Sequence, residues 1–566
     1  MPKSHRPATS NSRASTTQRR NHRIRPSVVF HPNLLDGINL IADAVKPTLG
    51  PLPRFVGIES MTRGRPPELL DDAATIARRI IQIADPTADV GAMMMRHALW
   101  RMHETCGDGS ATMATIAQAL TQQAAKAIAA GAHPALLRKG IEQGVARACE
   151  ALRAGALRPT SGRRSRELLI ALAKSVCHDS ELRDVLVEIV DILGADGAIQ
   201  VVNNDARRVD REYIEGAMWD SPWLTTGFAT DAAQSVARIS DAAVVLLDGK
   251  LDAAMNVLEG LKRLYSFGHR NLLIVAGDLS DEAKAVLIQA KLSGVLSILP
   301  VKAPGFDAKR AVALQDLAAL TGARVLIGDA ATFAKVTPED VGSVRRAWAT
   351  ARQFGVIGGK RDPVALRSAI ASVRRKIDET VNLDEIAELR LRLGRLCGGL
   401  AIVRVGGATS KIQESRRDEA VRLSRTLQMA AGRGYVAGGG AALFKVAQSL
   451  LNDAGRSDGR AGDDVAFGVR CLARALESPL MTIAANAGFD PSEVAGQVRA
   501  ALCADPHADC GFDVRDGCVM DMMAAGIVDS AEVIERAVRV ASSLAATAIT
   551  TDAVVHHRKL ALATNP

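Results

Sequence analysis

Residues 107–112 read Gly107-Asp108-Gly109-Ser110-Ala111-Thr112, between a helical stretch over about 90–104 and another from Ser110 to Ala130. Glycine lets a backbone come close to a bound group, and the start of a helix presents free N–H donors. With two hydroxyls and one carboxylate added, the segment has the parts of a phosphate cradle with a ligand for Mg2+. It is not a P-loop, because no Gly-Lys-Ser/Thr ending is present, and no Gly-x-Gly-x-x-Gly follows a strand. Taken alone, a structural turn or helix cap is the better reading.

Two more glycine turns lie far away along the chain. Upstream, a helix over Ile38 to Val45 is broken by Pro47, and Thr48-Leu49-Gly50-Pro51 reads as a turn. Downstream, a helix over about 415–431 stops at Gly432 and Gly434, before Val436-Ala437-Gly438-Gly439-Gly440. Between them the texture changes. From about Gly194, β-rich runs (198–202, 243–247, 271–275, 295–301) alternate with helical stretches (253–265, 281–292), which indicates an α/β module ending near Gly359. Residues 364–396 are helical, with Ile370, Val373, Ile377 and Val381, then Leu389, Leu393 and Leu396, on one buried face. Residues 451–463 read as a polar loop, and Ala-rich helix runs on to about Ala548. The order is helical, then α/β, then helical, as when a middle unit is inserted into a helical one.

Composition narrows the classes. The chain has 566 residues, 48% of them hydrophobic but only 3% aromatic, so its core must be built mainly from Ala, Val, Ile and Leu. Net charge is +9, and seven of the basic residues (Lys3, Arg6, Arg13, Arg19, Arg20, Arg23, Arg25) precede the first acid, Asp36. The rest is close to neutral, so no specific nucleic-acid partner is implied, and the basic segment reads as a solvated arm. No run is long enough to span a bilayer and no apolar h-region follows the arm, so neither a membrane nor secretion is expected, and the cytoplasm is. An organellar transit peptide is the lesser alternative, since the arm is rich in Arg and Ser but forms a poor amphipathic helix. The eight cysteines contain no Cys-x-x-Cys pair and read as scattered thiols; Cys503, Cys510 and Cys518, with His507 nearby, fit no standard zinc spacing.

The separated turns gain meaning together. Residues 37–51 (Gly-Ile-Asn-Leu-Ile-Ala-Asp-Ala-Val-Lys-Pro-Thr-Leu-Gly-Pro), residues 107–112, Val301-Lys302-Ala303-Pro304-Gly305-Phe306 with Leu314-Gln315-Asp316 and Leu320-Thr321-Gly322, Ala437 to Gly440, and Gly526-Ile527-Val528-Asp529 resemble, in order, segments of the group I chaperonins. The resemblance covers roughly residues 28–550. It implies a multidomain α and α/β fold of discontinuous chaperonin architecture: a helical equatorial domain (28–154 and 434–548), a small α/β intermediate domain (155–214 and 401–433) and an α/β apical domain (215–400). A disordered basic arm (1–27) and a flexible tail (549–566) flank them.

By the same resemblance, ATP with Mg2+ would be bound by Thr48, Leu49, Gly50, Pro51, Asp108, Gly109, Ser110, Ala111, Thr112, Gly439, Asp513, Val514, Ile527 and Asp529, with Asp108 as the metal ligand. Asp72 would lie near the attacking water. Non-native polypeptides and a co-chaperonin lid would be gripped by Trp223, Phe228, Leu258, Leu261 and Ile288, and the subunits would form a homo-oligomeric, heptameric ring. The departures also count. The position of the family's hydrolytic aspartate holds Arg422, which cannot orient water as a carboxylate does; Asp418, one turn earlier, is a candidate substitute at a less favourable angle. Asp71 replaces a lysine, and Ala111 replaces a threonine that helps hold K+. Lys284, Gln289 and Gly227 make the apical groove more polar, and the family's Gly-Gly-Met tail is absent. The expected function is an ATP-binding folding chaperone with slowed hydrolysis. The alternatives are a hydrolysis-deficient ring that holds clients or mixes with a paralogue, and attachment to nucleic acid or membrane through the arm.

Overall fold

The computed structural model describes residues 22–26, 32–59, 67–159, 163–204, 206–222, 228, 236–359, 363–380, 382–397, 399–455 and 464–557. Its helices are α1 (Pro32–Val45), α2 (Ala73–Arg79), α3 (Pro86–Cys106), α4 (Ser110–Ala129), α5 (Pro134–Ala154), α6 (Arg163–Val176), α7 (Ser180–Leu193), α8 (Ala254–Ser266), α9 (Asp281–Leu292), α10 (Asp307–Thr321), α11 (Ala330–Phe333), α12 (Pro363–Glu379), α13 (Leu383–Cys397), α14 (Ser410–Arg433), α15 (Ala441–Gly455), α16 (Asp464–Asn486), α17 (Pro491–Ala504) and α18 (Ala531–Ile549).

The largest core is helical and draws on both ends of the chain. Leu34, Ile38 and Ile41 of α1, Met95 and Leu99 of α3, and Ile116 and Leu120 of α4 share it with Leu472 and Leu476 of α16 and Val538 and Leu544 of α18. With few aromatic residues, the helices approach closely through small ones. Gly140 of α5 faces Gly468 of α16, where a Cβ on either would collide with the other helix. The chain therefore leaves this body after α5 and re-enters it at α15, as the helical, α/β, helical order anticipated.

The α/β module is a seven-stranded sheet. Ala237–Leu251, Asn271–Leu279 and Ser297–Lys302 run parallel, with Val325–Ile327 on the first of them; Gly342–Ala349, Phe354–Gly359 and Ala217–Trp219 follow antiparallel. Alternate residues feed two cores, as the strand period of two requires. Val244, Leu246, Leu273 and Val275 pack on α10, while Val245, Leu247, Leu272 and Ile274 pack on α8 and α9. A third core joins α6, α7 and α14 to a small sheet in which Gly399–Val405 lies between Ala198–Asn203 and Asp210–Glu215. The chain crosses this third body twice, on its way to the large sheet and on its way back.

Two segments differ from expectation. Residues 22–26 were expected in an unstructured arm and 553–557 in a flexible tail, but His22–Pro26 and Ala553–His557 form an antiparallel pair. The partners are about 530 residues apart, so no local pattern announces them; Arg23 and Arg25 also give the first strand the look of a solvated segment. The arm before residue 22 and the tail beyond 557 lie outside the described residues. Among the described residues no helix is long and apolar enough to cross a membrane.

Candidate functional site

The turn at 107–109 is shaped by two left-handed glycines. Gly107 (φ 77°) caps α3, and Gly109 (φ 80°) is the N-cap of α4. A side chain on Gly107 would meet the Arg422 backbone at 2.4 Å, so only glycine allows α14 to lie this close. No side chain caps α4, which leaves its first N–H groups facing the cleft. The 48–51 turn is held from behind: Asn486, at the end of α16, donates to the carbonyls of Lys46 and Leu49, each at 2.8 Å. From the other end of the chain, Tyr435–Ala437 pairs with Val528–Ser530, setting Val436 opposite Asp529.

These segments surround one cleft of about 950 Å3. Its walls include Thr48, Leu49, Gly50 and Pro51; Asp72; Asp108, Gly109, Ser110, Ala111 and Thr112; Gly439; Asp513 and Val514; and Ile527 and Asp529, so every residue expected around a nucleotide lines it. One end is apolar, built on Leu49, Ile483, Phe512 and Val514, and the other carries carboxylates. A flat apolar ring suits the first end, and an anion with its cation suits the second.

Charge at the second end is unbalanced. Burial pushes Asp108 above the ordinary carboxylate range, with the Asp72 charge adding to it against the Gly109 N–H and the Arg422 guanidinium. Burial and the Asp108 charge push Asp529 up to about 7. A cation between them would relieve the repulsion that the Asp108 charge exerts on Asp529. Among the described residues no three His, Cys, Asp or Glu side chains are grouped to hold a metal, so such a cation would take further oxygens from a ligand or water, as Mg2+ does on phosphates.

The sign of the pH dependence follows. Asp529 is raised in the fold, so its contribution to stability is intact below the unfolded value of 3.8 and is lost as pH rises through about 7. Between pH 5 and 8 the ligand-free protein should lose stability, by on the order of a few kcal/mol, relative to Asp529→Asn. Thermal unfolding of the two across that range checks this; parallel profiles would remove the Asp108–Asp529 coupling.

Both carboxylate oxygens of Asp72 are engaged. Its Oδ1 accepts from Arg422 Nη1 at 3.0 Å; its Oδ2 accepts from Thr75 N and Oγ1 at 2.8 and 2.6 Å, with His103 Nδ1 3.6 Å away. Burial alone would raise this carboxyl, but His103, the Arg422 charge and Thr75 together hold it well below the usual range. His103 in turn stacks on Trp100. Sequence reading missed His103 and Asn486, because neither stands beside a motif. Asp418, expected at an unfavourable angle, is exposed and off the cleft, whereas Glu419, three residues before Arg422, lines it and accepts from the His178 N–H at 3.1 Å.

The expected client-gripping residues separate. Phe228 and Leu261 are 1% and 2% exposed and belong to the core under α8 and α9, so neither offers a surface. Leu258 is exposed, Ile288 is half-buried, and Trp223 and Gly227 lie outside the described residues. The apolar groups that do face solvent there are Met255 (76%), Leu258 and Tyr265 on α8, and Leu292 (81%) at the end of α9. Lys284 is paired with Asp281 at 2.8 Å.

Comparison with known proteins agrees with this geometry. The model of the TCP-1/cpn60 chaperonin family matches residues 41–559. Two proteins called chaperonin GroEL 2 from Cereibacter sphaeroides are each 34% identical over 528 residues, covering 93% of this chain and 94% of theirs. In fold the chain resembles the crystal structure of the chaperonin gp146 from bacteriophage EL 2 (Pseudomonas aeruginosa), solved in the presence of ATP-BeFx. The TM-score is 0.65 at 18% identity, over 94% of this chain and 99% of that one. The discontinuous helical body, the inserted α/β sheet and the match along nearly the whole length place this chain in the TCP-1/cpn60 chaperonin family, as a divergent GroEL-type member.

Proposed function

We propose that this chaperonin binds ATP with Mg2+ in the cleft, assembles into a ring, and holds non-native polypeptides on its α8–α9 face while hydrolysing ATP slowly. The observation that carries the nucleotide reading is the convergence of the 48–51, 107–112, 437–440 and 526–529 turns on one cleft. In this reading the free N–H groups of α4 take phosphate oxygens, and Asp108 holds the metal with Asp529 close by. The apolar end at Leu49, Ile483 and Val514 takes the base. The metal, when bound, neutralises phosphate charge. Ala111 brings no side-chain oxygen, so K+ is not supported by this position.

The helical body then corresponds to the equatorial domain, the three-stranded sheet with α6, α7 and α14 to the intermediate domain, and the seven-stranded sheet to the apical domain. Isothermal titration with the ATP analogue AMP-PNP and Mg2+ tests the cleft: micromolar binding that requires Mg2+ is expected, and no heat at millimolar concentration ends the reading. A heptamer of the 59.8 kDa chain, its response to ATP and its capping by a small lid protein are read by light scattering.

A second reading, a ring that holds clients without turnover or mixes with a paralogue, is favoured by one observation: Arg422 stands where hydrolysis needs a carboxylate and occupies the Asp72 carboxylate as well. Both readings share the client face. Met255→Glu with Leu258→Glu places two charges on the exposed apolar stripe and should lower capture of reduced, carboxymethylated α-lactalbumin by about tenfold. Undiminished capture would move the client site elsewhere.

A further inference from the structure

The last four carbonyls of a helix have no partner within it, and a buried helix end must find partners elsewhere. At the end of α3 the accounting closes in an unusual way. The His103 carbonyl accepts from the Gly107 N–H at 2.9 Å, which is the local cap. The other three are taken by the segment that returns from the α/β module. Arg425 Nη1 donates to the Glu104 carbonyl at 2.6 Å, Arg390 Nη2 to the Thr105 carbonyl at 3.3 Å, and Thr426 Oγ1 to the Cys106 carbonyl at 3.0 Å. Two of the three donors are guanidinium groups at the negative end of a helix dipole, where cations are favoured. The partners come from α13 and α14, about 285 to 321 residues further along the chain.

The same helix end carries the cleft turn. Gly107 follows Cys106 directly, and the Arg422 backbone rests against it, with no room for a side chain between them. Arg422 itself reaches Asp72 at 3.0 Å. Met429 continues the contact by packing into the helical core. Burial and the neighbouring Arg425 and Arg536 pull Arg390 down to about 10, a measure of how far it has been withdrawn from water.

We infer that Arg390, Arg425 and Thr426 form a latch that ties α13 and α14 to the α3 carbonyls and so holds α14, a wall of the cleft, in place by contacts within the chain itself. The position of this wall is then set by the protein's own bonds, and moving α14 away from the cleft must first break them. The latch gives the wall formed by α14 a built-in resting position and makes exchange of the cleft's contents slow. Its meaning rests on the nucleotide reading above. Its test does not, because no nucleotide is added.

The experiment is amide hydrogen exchange, read by mass spectrometry on the nucleotide-free full chain, comparing wild type with Arg390→Met/Arg425→Met. The peptides followed cover 100–112 and 419–430, with the α10 peptide 307–321 as an internal control. Expected is slow exchange at 100–112 in wild type and about a tenfold or greater acceleration there and at 419–430 in the variant, as the loss of two charge-assisted hydrogen bonds implies. The α10 peptide should be unchanged. If the double variant also exchanges fast at α10 it has unfolded, and the single variants Arg390→Met and Arg425→Met take its place with a smaller acceleration expected of each. Equal exchange in wild type and folded variants, or fast exchange at 100–112 in wild type, overturns the latch. Failure of the AMP-PNP titration would overturn the nucleotide reading and leave the exchange result standing.

Discussion

Arg422→Asp should raise single-turnover ATP hydrolysis by about a hundredfold or more, the usual worth of a placed general base or water-orienting carboxylate. The substitution makes two changes at once. It puts a carboxylate on the face of α14 that meets the cleft, and it releases the Oδ1 of Asp72, which in the parent accepts from the guanidinium at 3.0 Å. Arg422→Ala makes only the second change. Asp72 would remain tied through Oδ2 to Thr75 and His103, so a gain of about tenfold or less is expected of it. The order Asp, then Ala, then Arg is therefore the diagnostic. A parent that turns over as fast as the Asp variant would show that another group, with Glu419 the nearest carboxylate on α14, already performs the task. The account of Arg422 would then fail.

Much of this site is legible in the sequence, because its parts are glycine turns and glycine turns are local. Gly107 and Gly109 need positive φ, Pro47 breaks α1, and Gly439 bends the chain between a strand and α15; each leaves its mark within a few residues. What joins them is not local. Asn486 clamps a turn some 440 residues away, and His103 meets Asp72 only because α2 and α3 cross. The α3 carbonyls are satisfied from α13 and α14, and nothing near residues 104–106 signals it. The error on α8 has a different origin. Leu258 and Leu261 lie three apart and both are apolar, so either could face out. The stripe Val257, Leu261 and Leu264, spaced four and three, is the one that packs against the sheet, which turns Met255 and Leu258 to solvent. The periodicity is present in the sequence, but it is the resemblance, not the helix face, that assigns Leu261 to the groove.

Asp108→Asn should produce opposite effects on binding and on stability. The side chain keeps its shape but loses the charge that would hold the cation beside the phosphates, so affinity for Mg2+ with AMP-PNP should fall by on the order of a hundredfold, about 2.7 kcal/mol. The ligand-free protein should become more stable at pH 8. Asp108 is itself a half-buried carboxylate raised by desolvation, and its charge is one of the two causes that hold Asp529 up to about 7. With that charge removed Asp529 ionises more readily, and the stability lost between pH 5 and 8 should shrink. Titration calorimetry reads the first effect and thermal unfolding at pH 6 and 8 reads the second. Affinity within threefold of the parent would take the metal away from Asp108. A variant that is both weaker in binding and less stable would show that the carboxylate is structural. Only a group kept at a cost to the ligand-free fold, and repaid when the cation arrives, gives the two changes with opposite sign.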